Sequence, residues 1–333
     1  MKVDKDIMQM KNQTLILIAL LVFLASSCRK DVSFDVPVMD YKDTGWAGSI
    51  NPEMDVFKLI SDLKLPFKDT IYHINSFNTP VALSLQQDQS RMSIEIHDGF
   101  LQDQNRTPAV GDINIVWTIA EKKWELIQNL AVAESVGIKD INGAFFIRFM
   151  KGGLPLTLSQ GAYLEIHYTP QSMPANQTSA LNLYNGTYGA SGDHINWNLG
   201  GAGNSVTRDN THFEINTVTT GWFMITHSEN SSSGTYTVRP SLPSSLYTDK
   251  NTSAYLLTDK AVYQLKADTA RREFSMNGLY PNLINPKVLI LSRMGDSYYY
   301  GIENLTTQGS SYIGAISTQK VSLDQLKYLL NGL

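Results

Sequence analysis

The sequence predicts an all-β fold of two antiparallel β-sandwich domains in tandem, followed by a short C-terminal helix. The first observation is a strict alternation of apolar and polar residues in several short segments, such as residues 91–97 (RMSIEIH). The second is that Gly, Pro, Asn and Asp separate these segments at short intervals, which is typical of antiparallel sandwiches. The third is the composition, because 16 tyrosines with many Ser, Thr and Asn residues favour strands over helices.

The alternation assigns one face of three strands to the core of the first sandwich. The inward positions are Met92, Ile94 and Ile96, then Ile113, Ile115, Trp117 and Ile119, then Leu164, Ile166 and Tyr168. Residues 143–153 are apolar on both faces of the predicted strand, which is typical of a central strand covered on both sides. The stretch 119–135 has apolar residues at helical spacing but lies between strands. A short helix and an irregular connection both fit it.

With 333 residues the chain is long enough for two domains. The predicted divisions are a lipoprotein signal peptide (1–27), a tether with a short helix or turn (28–70), a first sandwich (71–187), a Gly- and Asn-rich joint with a hairpin (188–233), and a second sandwich with the C-terminal helix (234–333). The tether helix is expected near residues 54–63, where apolar residues have helical spacing. The C-terminal helix should begin at Ser322, because Ser322 and Gln325 have the spacing of a capping box.

The N-terminus has the layout of a secretory signal. Lys2, Lys5 and Lys11 precede an uncharged apolar run from Leu15 to Ala25, and small residues follow it. The run is shorter than the roughly 20 residues that a membrane-spanning helix needs. The sequence therefore predicts an exported protein.

Cys28 is the only cysteine of the chain and follows this run directly. The segment Ala25-Ser26-Ser27-Cys28 resembles the lipobox of bacterial lipoproteins, in which the cysteine is lipidated and the chain is cut just before it. Lipidation would also remove an unpaired thiol from an oxidising compartment. The alternative is an ordinary signal peptide that happens to carry a cysteine. Arg29, in place of the Asp that retains some lipoproteins at the inner membrane, favours the outer membrane, and the periplasmic and surface faces both stay open.

Two long stretches, residues 92–117 and 141–170, combine core strands with glycine-containing turns in a distinctive order. With the later segments LNLYNG, INWN, GWFMIT and YYYGIENL, the chain resembles uncharacterised two-domain β-sandwich lipoproteins of Gram-negative bacteria. The first domain of that group is similar to the ankyrin/netrin-receptor-type sandwich. The resemblance covers most of residues 75–333 and implies a location and a fold but no activity. Members of the group often carry Asn and Asp after a Gly-Trp pair, which Gly221-Trp222 lacks.

The residues point to no enzymatic activity. The chain has no Gly-x-Ser-x-Gly elbow, phosphate loop or His-Glu-x-x-His motif, and its six histidines are widely scattered. His97 and His167 fall on the polar faces of predicted strands, so we expect solvated or cross-strand histidines and neither a metal site nor a cofactor. The formal net charge of −4 leaves no basic footprint for nucleic acid. A hydrolase built from dispersed acids would need two carboxylates facing each other at about 5–10 Å.

The leading hypothesis is a lipid-anchored cell-envelope protein with a structural or protein-interaction role, whose partners are the membrane and an envelope protein or glycan. The alternative is a glycan-binding accessory lipoprotein of polysaccharide uptake. Its candidate ligand-binding residues are Trp197 with Asn196 and Asn198, and Tyr298 and Tyr300 of the Tyr298–Tyr300 run. That alternative requires Trp197 and at least one of these tyrosines on a single exposed surface, since aromatic rings stack on sugars.

Overall fold

The computed structural model describes residues 45–48, 51–76, 81–133, 139–173, 180–189, 192, 194–227, 236–279, 283 and 285–333. The predicted signal peptide and Cys28 lie outside these residues. All the described residues belong to one compact unit, Asp43–Leu333. They confirm the all-β prediction, because strands in several sheets dominate and the helices α1 (Asp55–Leu63), α2 (Lys123–Gln128) and α3 (Leu323–Asn331) are short.

Two sheets form the first sandwich. Its strands are β1 (Lys68–Ile74), β2 (Val81–Gln87), β3 (Ser90–His97), β4 (Leu101–Gln102), β5 (Gly111–Ala120), β6 (Lys139–Lys151), β7 (Leu154–Pro155), β8 (Thr157–Leu158), β9 (Tyr163–Thr169), β10 (Leu181–Tyr188), β11 (Ile195–Leu199), β12 (Ser205–Arg208), β13 (Phe213–Thr217) and β14 (Gly221–His227). Sheet A has the order β1-β5-β6-β14-β10-β11, with β7 paired to β6. Sheet B has the order β12-β13-β9-β3-β2, and β4 pairs with β8.

The core of the first sandwich lies between sheets A and B. Every inward position predicted from the alternation in β3, β5 and β9 is buried there. Strand β6 is buried on both faces at residues 143–147, as predicted, because aromatic side chains cover this part of the outer face of sheet A. Phe146 stacks on Phe67 with ring centroids 4.7 Å apart and packs against Trp222 at 5.5 Å.

Strands β11 to β14 come from the stretch 188–233, which the sequence predicts as a joint. They are strands of sheets A and B, with β11 and β12 at the edges, so the described residues of this stretch belong to the first sandwich. The physical reason is burial: Phe213, Ile215 and Phe223 are completely inaccessible and complete the same core. The Gly- and Asn-rich segments between these strands are turns within one sandwich.

The ambiguous stretch 119–135 contains helix α2 and, after it, a link to the second sandwich. Leu130 has a φ of 60°, which turns the chain at the end of α2. The Ala133 N–H then donates to the Val262 carbonyl at 2.9 Å, and the Gln264 N–H donates back to Ala133 at 3.0 Å. A second backbone hydrogen bond joins Ile141 N–H to the Lys260 carbonyl at 2.9 Å.

The second sandwich has two sheets of five strands each. Its strands are β15 (Tyr236–Ser241), β16 (Thr252–Leu257), β17 (Val262–Gln264), β18 (Lys266–Asp268), β19 (Glu273–Leu279), β20 (Lys287–Met294), β21 (Ser297–Asn304), β22 (Thr306–Gln308), β23 (Ser311–Ala315) and β24 (Gln319–Val321). Sheet C has the order β18-β19-β15-β23-β22, and sheet D has the order β17-β16-β20-β21-β24. The pair β15–β23 is parallel, which departs from the purely antiparallel prediction.

Helix α3 begins as its sequence predicts. The Gln325 N–H donates to Ser322 Oγ at 3.2 Å and the Ser322 N–H donates to Gln325 Oε1 at 2.9 Å, which completes the capping box. Leu326 and Leu330 are buried against the second sandwich. None of the helices in the described ranges is long and apolar enough to cross a membrane.

Helix α1 is part of the body, although the sequence predicts residues 28–70 as a tether. Val56, Leu59, Ile60 and Leu63 form a buried stripe, and α1 packs on β20 and β16 of the second sandwich. Strand β1 then enters sheet A at Lys68, three residues before the predicted start of the first sandwich. The apolar stripe explains the difference, because an exposed helix with this face would leave four large side chains in water.

Candidate functional site

Residues 45–48 and 51–64, which we call the docking segment, lead from the predicted anchor into the second sandwich. The buried Asp249 carboxylate accepts hydrogen bonds from the Ala47 N–H at 2.8 Å and from the Gly48 N–H at 2.6 Å. The Trp46 ring packs against Phe274 with centroids 5.2 Å apart. These contacts hold Trp46, Ala47 and Gly48 on the second sandwich.

Helix α1 adds a charged contact to this attachment. The Arg293 guanidinium, whose side chain is only 14% exposed, lies 3.5 Å from both the Asp55 and the Asp62 carboxylates. The Tyr298 hydroxyl donates to Asp62 Oδ2 at 2.8 Å. Burial, and then this hydrogen bond to a carboxylate, raise the pKa of Tyr298. Tyr298, one of the predicted ligand-binding residues, is thus part of the α1 attachment.

The other two residues of the tyrosine run are buried in sheet D. Tyr299 and Tyr300 have exposed fractions of 6% and 8%, and burial raises the pKa of each phenol. Tyr300 lines one side of a cavity of about 1170 Å³ between sheet D and helix α3.

Trp197 lies half-buried on β11, where it supports the connection that follows α2. Its indole N–H donates to the Val132 carbonyl at 2.9 Å. Its ring also lies so close to Gly186 that a Cβ there would come within 2.8 Å of it. Asn196 and Asn198 are exposed on the same strand, and Asn196 lines a cleft of about 360 Å³ between the two sandwiches.

None of these four aromatic side chains is fully exposed. Trp197 is half-buried against the first sandwich, and Tyr298 is bound to helix α1 of the docking segment. Tyr299 and Tyr300 are buried. The physical reason is that each ring fills space at a contact between elements, as aromatic residues of sandwiches commonly do.

A group of titratable side chains lies on the outer face of sheet B. We call it the histidine surface, and its residues are Glu95, His97, Glu165, His167, Asp209 and His212. Glu95 is directly opposite Glu165 across β3 and β9, and like charges in this position repel each other. His97 Nε2 lies 3.5 Å from a carboxylate oxygen of each. An imidazole therefore stands between these two carboxylates, which differs from the open facing pair that the hydrolase alternative needs.

The histidine surface continues from Glu165 to the turn before β13. His167 Nε2 lies 2.8 Å from Glu165 Oε1, and His167 Nδ1 lies 2.9 Å from His212 Nε2. His212 Nδ1 lies 3.1 Å from Asp209 Oδ2. Backbone hydrogen bonds from Thr211 and then His212 lower the pKa of Asp209, which keeps this carboxylate ionised.

Sequence reasoning placed His97 and His167 on polar strand faces, and both do lie on the outer face of sheet B. It missed the contact between His167 and His212, because that contact depends on the pairing of β9 with β13. The available signal was the Asp-x-x-His spacing of Asp209 and His212 just before an alternating strand, which is typical of a side chain-capped turn.

Within the described residues, no group of three or more His, Cys, Asp and Glu side chains is arranged to hold a metal ion. The comparisons with known proteins give no identification. No protein-family model, no curated protein and no solved structure matches this chain.

Proposed function

We propose that this chain is a lipid-anchored protein of the bacterial outer membrane with a non-enzymatic structural or protein-interaction role. The observation that carries the proposal is the order Lys2, Lys5 and Lys11, then the apolar run Leu15–Ala25, then Ser26-Ser27-Cys28. Acylation of Cys28 would fix the chain to the membrane, and two or more acyl chains hold a protein far more firmly than one.

The docking segment limits the distance between the acylated Cys28 and the folded body. Only residues 29–44 separate Cys28 from the first described residue, Gly45. An extended chain spans at most about 3.5 Å per residue, so Gly45 stays within about 60 Å of the acylated residue. Because Trp46 and α1 hold the segment on the second sandwich, that sandwich is the part of the body nearest to the attachment point along the chain.

The edges of sheet A support an interaction role. Its outermost strands, β1 and β11, each carry a large exposed apolar side chain, Ile71 at 70% and Leu199 at 60%. An edge strand offers unpaired backbone groups to an extended segment of another protein. We include in this proposal the resemblance to two-domain β-sandwich lipoproteins, which implies the same location and fold.

The anchoring is tested by cell fractionation after metabolic labelling with palmitate. We expect the wild-type chain to incorporate label and to sediment with outer membranes, and Cys28→Ser to do neither. Ser27→Ala is the matched control, because it keeps a small residue before the cysteine and should behave as wild type. The proposal would be refuted if the wild-type chain incorporated no palmitate, or if the Cys28→Ser chain still sedimented with vesicles.

A further inference from the structure

In the contact between His167 and His212, the tautomer of each ring determines whether its facing nitrogen carries a proton. His167 Nδ1 and His212 Nε2 face each other at 2.9 Å, and the two ring centroids are 4.9 Å apart. Both side chains are partly exposed, at 33% and 24%. The two rings therefore lie at the surface of sheet B.

The outer nitrogens, His167 Nε2 and His212 Nδ1, each lie beside a carboxylate, and these carboxylates determine the tautomer of each ring. Glu165 Oε1 lies 2.8 Å from His167 Nε2, and Asp209 Oδ2 lies 3.1 Å from His212 Nδ1. An ionised carboxylate only accepts hydrogen bonds, so each of these outer nitrogens carries the ring proton. Thr211 agrees with this, because its hydroxyl donates to Asp209 at 3.0 Å and its oxygen can accept from His212 Nδ1 at 3.0 Å.

When both rings are neutral, each of the two facing nitrogens is unprotonated and carries a lone pair. Two lone pairs at hydrogen-bond distance repel each other unless a cation lies between them. That cation is either a proton, which makes one ring an imidazolium, or a metal ion. A histidine that gives its outer N–H to a carboxylate has the arrangement typical of a metal ligand, since the carboxylate orients the ring and raises its basicity.

The distance fits a metal bound by two adjacent ligands. Two metal–nitrogen bonds of about 2.05 Å that meet at a right angle place their nitrogens about 2.9 Å apart, and right angles are typical of tetragonal Cu²⁺ and Ni²⁺ sites. We propose that His167 and His212 form a two-imidazole binding site for a divalent transition-metal ion, with Cu²⁺ preferred over Zn²⁺ and water in the other positions.

The surrounding structure holds both ligands in place before any ion arrives. Asp209 Oδ1 accepts from the Thr211 N–H at 2.6 Å and the His212 N–H at 2.8 Å, which fixes the turn. The next residue, Phe213, pairs with Tyr168 in the β13–β9 ladder. Because His167 is the neighbour of Tyr168 on β9, the two rings are brought together by the sheet itself.

The test is a Cu²⁺ titration of the protein purified in detergent, followed by calorimetry and by electron paramagnetic resonance. We expect one Cu²⁺ per chain with nitrogen couplings from two imidazoles, and weaker binding of Zn²⁺. His167→Gln and His212→Gln should each abolish this binding. His73→Gln is the matched control, because His73 also lies beside a carboxylate, Asp112 at 2.6 Å, and should bind Cu²⁺ as wild type does.

Glu165→Gln and Asp209→Asn provide a second set of variants that keep both rings. Loss of the carboxylate should weaken Cu²⁺ binding by about 10–100-fold, with circular dichroism unchanged. The proposal is overturned if the wild type binds no Cu²⁺ at micromolar concentration. It is equally overturned if His167→Gln and His212→Gln bind as wild type does, or if nuclear magnetic resonance finds one ring protonated and no ion bound.

Discussion

At the residue scale, side chains that look alike in the sequence have different roles because of their neighbours. Tyr163 and Tyr168 lie on the same strand, β9. Tyr163 stacks on His97 at the surface, whereas Tyr168 is completely buried and its hydroxyl donates to the Glu121 carboxylate. Burial, and then the Glu121 charge, raise the pKa of Tyr168 well above its usual value.

This pKa shift predicts a loss of stability in alkaline solution. An unfolded tyrosine ionises near pH 10, while the folded Tyr168 keeps its proton, so its contribution is complete below about pH 10 and is lost as the pH rises further. Tyr168→Phe should flatten the fall in the free energy of unfolding above pH 10. At neutral pH it should cost about 1–3 kcal/mol, because the Glu121 carboxylate loses a partner.

Urea unfolding at a series of pH values measures this effect. Tyr163→Phe is the control on the same strand and should keep the slope of the wild type. If Tyr168→Phe and the wild type lose stability in parallel above pH 10, the buried phenol does not have the proposed effect.

At the element scale, the packing of helix α1 shows whether the chain after the proposed anchor is a tether or part of the fold. Leu59 is completely buried in its apolar stripe. Leu59→Ala should lower the free energy of unfolding by about 2–5 kcal/mol. Lys58→Ala, on the exposed side of the same helix, should change it by less than about 0.5 kcal/mol.

Chemical denaturation of the two variants, with limited proteolysis of residues 51–64, distinguishes these outcomes. We expect Leu59→Ala to speed cleavage in α1 before the rest of the body is cut. Equal stability of Leu59→Ala and Lys58→Ala would mean that α1 is not docked in solution.

Helix α3 offers a second prediction at this scale. Ser322→Ala removes the side-chain acceptor of the capping box and should cost about 1 kcal/mol of stability. Ser322→Asp keeps an acceptor and should restore it. The melting temperature measures both variants, and a Ser322→Ala protein as stable as Ser322→Asp would show that the cap is not used.

The elements differ in how far the sequence predicts them. The alternation in β3, β5 and β9 and the capping box of α3 are local patterns, so the sequence alone predicts the buried positions of these strands and the start of this helix. The placement of β11 to β14 depends on the partners of each strand, and turn residues such as those at 200–204 are the same within a sandwich as between two. The contact of His167 with His212 was missed for this reason, since 45 residues separate them.

At the scale of the whole molecule, the two sandwiches share backbone hydrogen bonds and the docking segment. Ala133 joins the connection after α2 to β17, and α1 packs on sheet D just before β1 enters sheet A. We therefore expect one cooperative unfolding transition in differential scanning calorimetry, with equal calorimetric and van 't Hoff enthalpies. Two separate transitions would mean that the sandwiches unfold independently.

The central claim at this scale is that an acylated Cys28 holds the body at the outer membrane. Mass spectrometry of the N-terminal peptide from membrane-purified protein tests it most directly. We expect a peptide that begins at Cys28 and has the added mass of a diacylglyceryl group and an amide-linked acyl chain. A peptide that contains residues before Cys28, or one that begins at an unmodified Cys28, would contradict it.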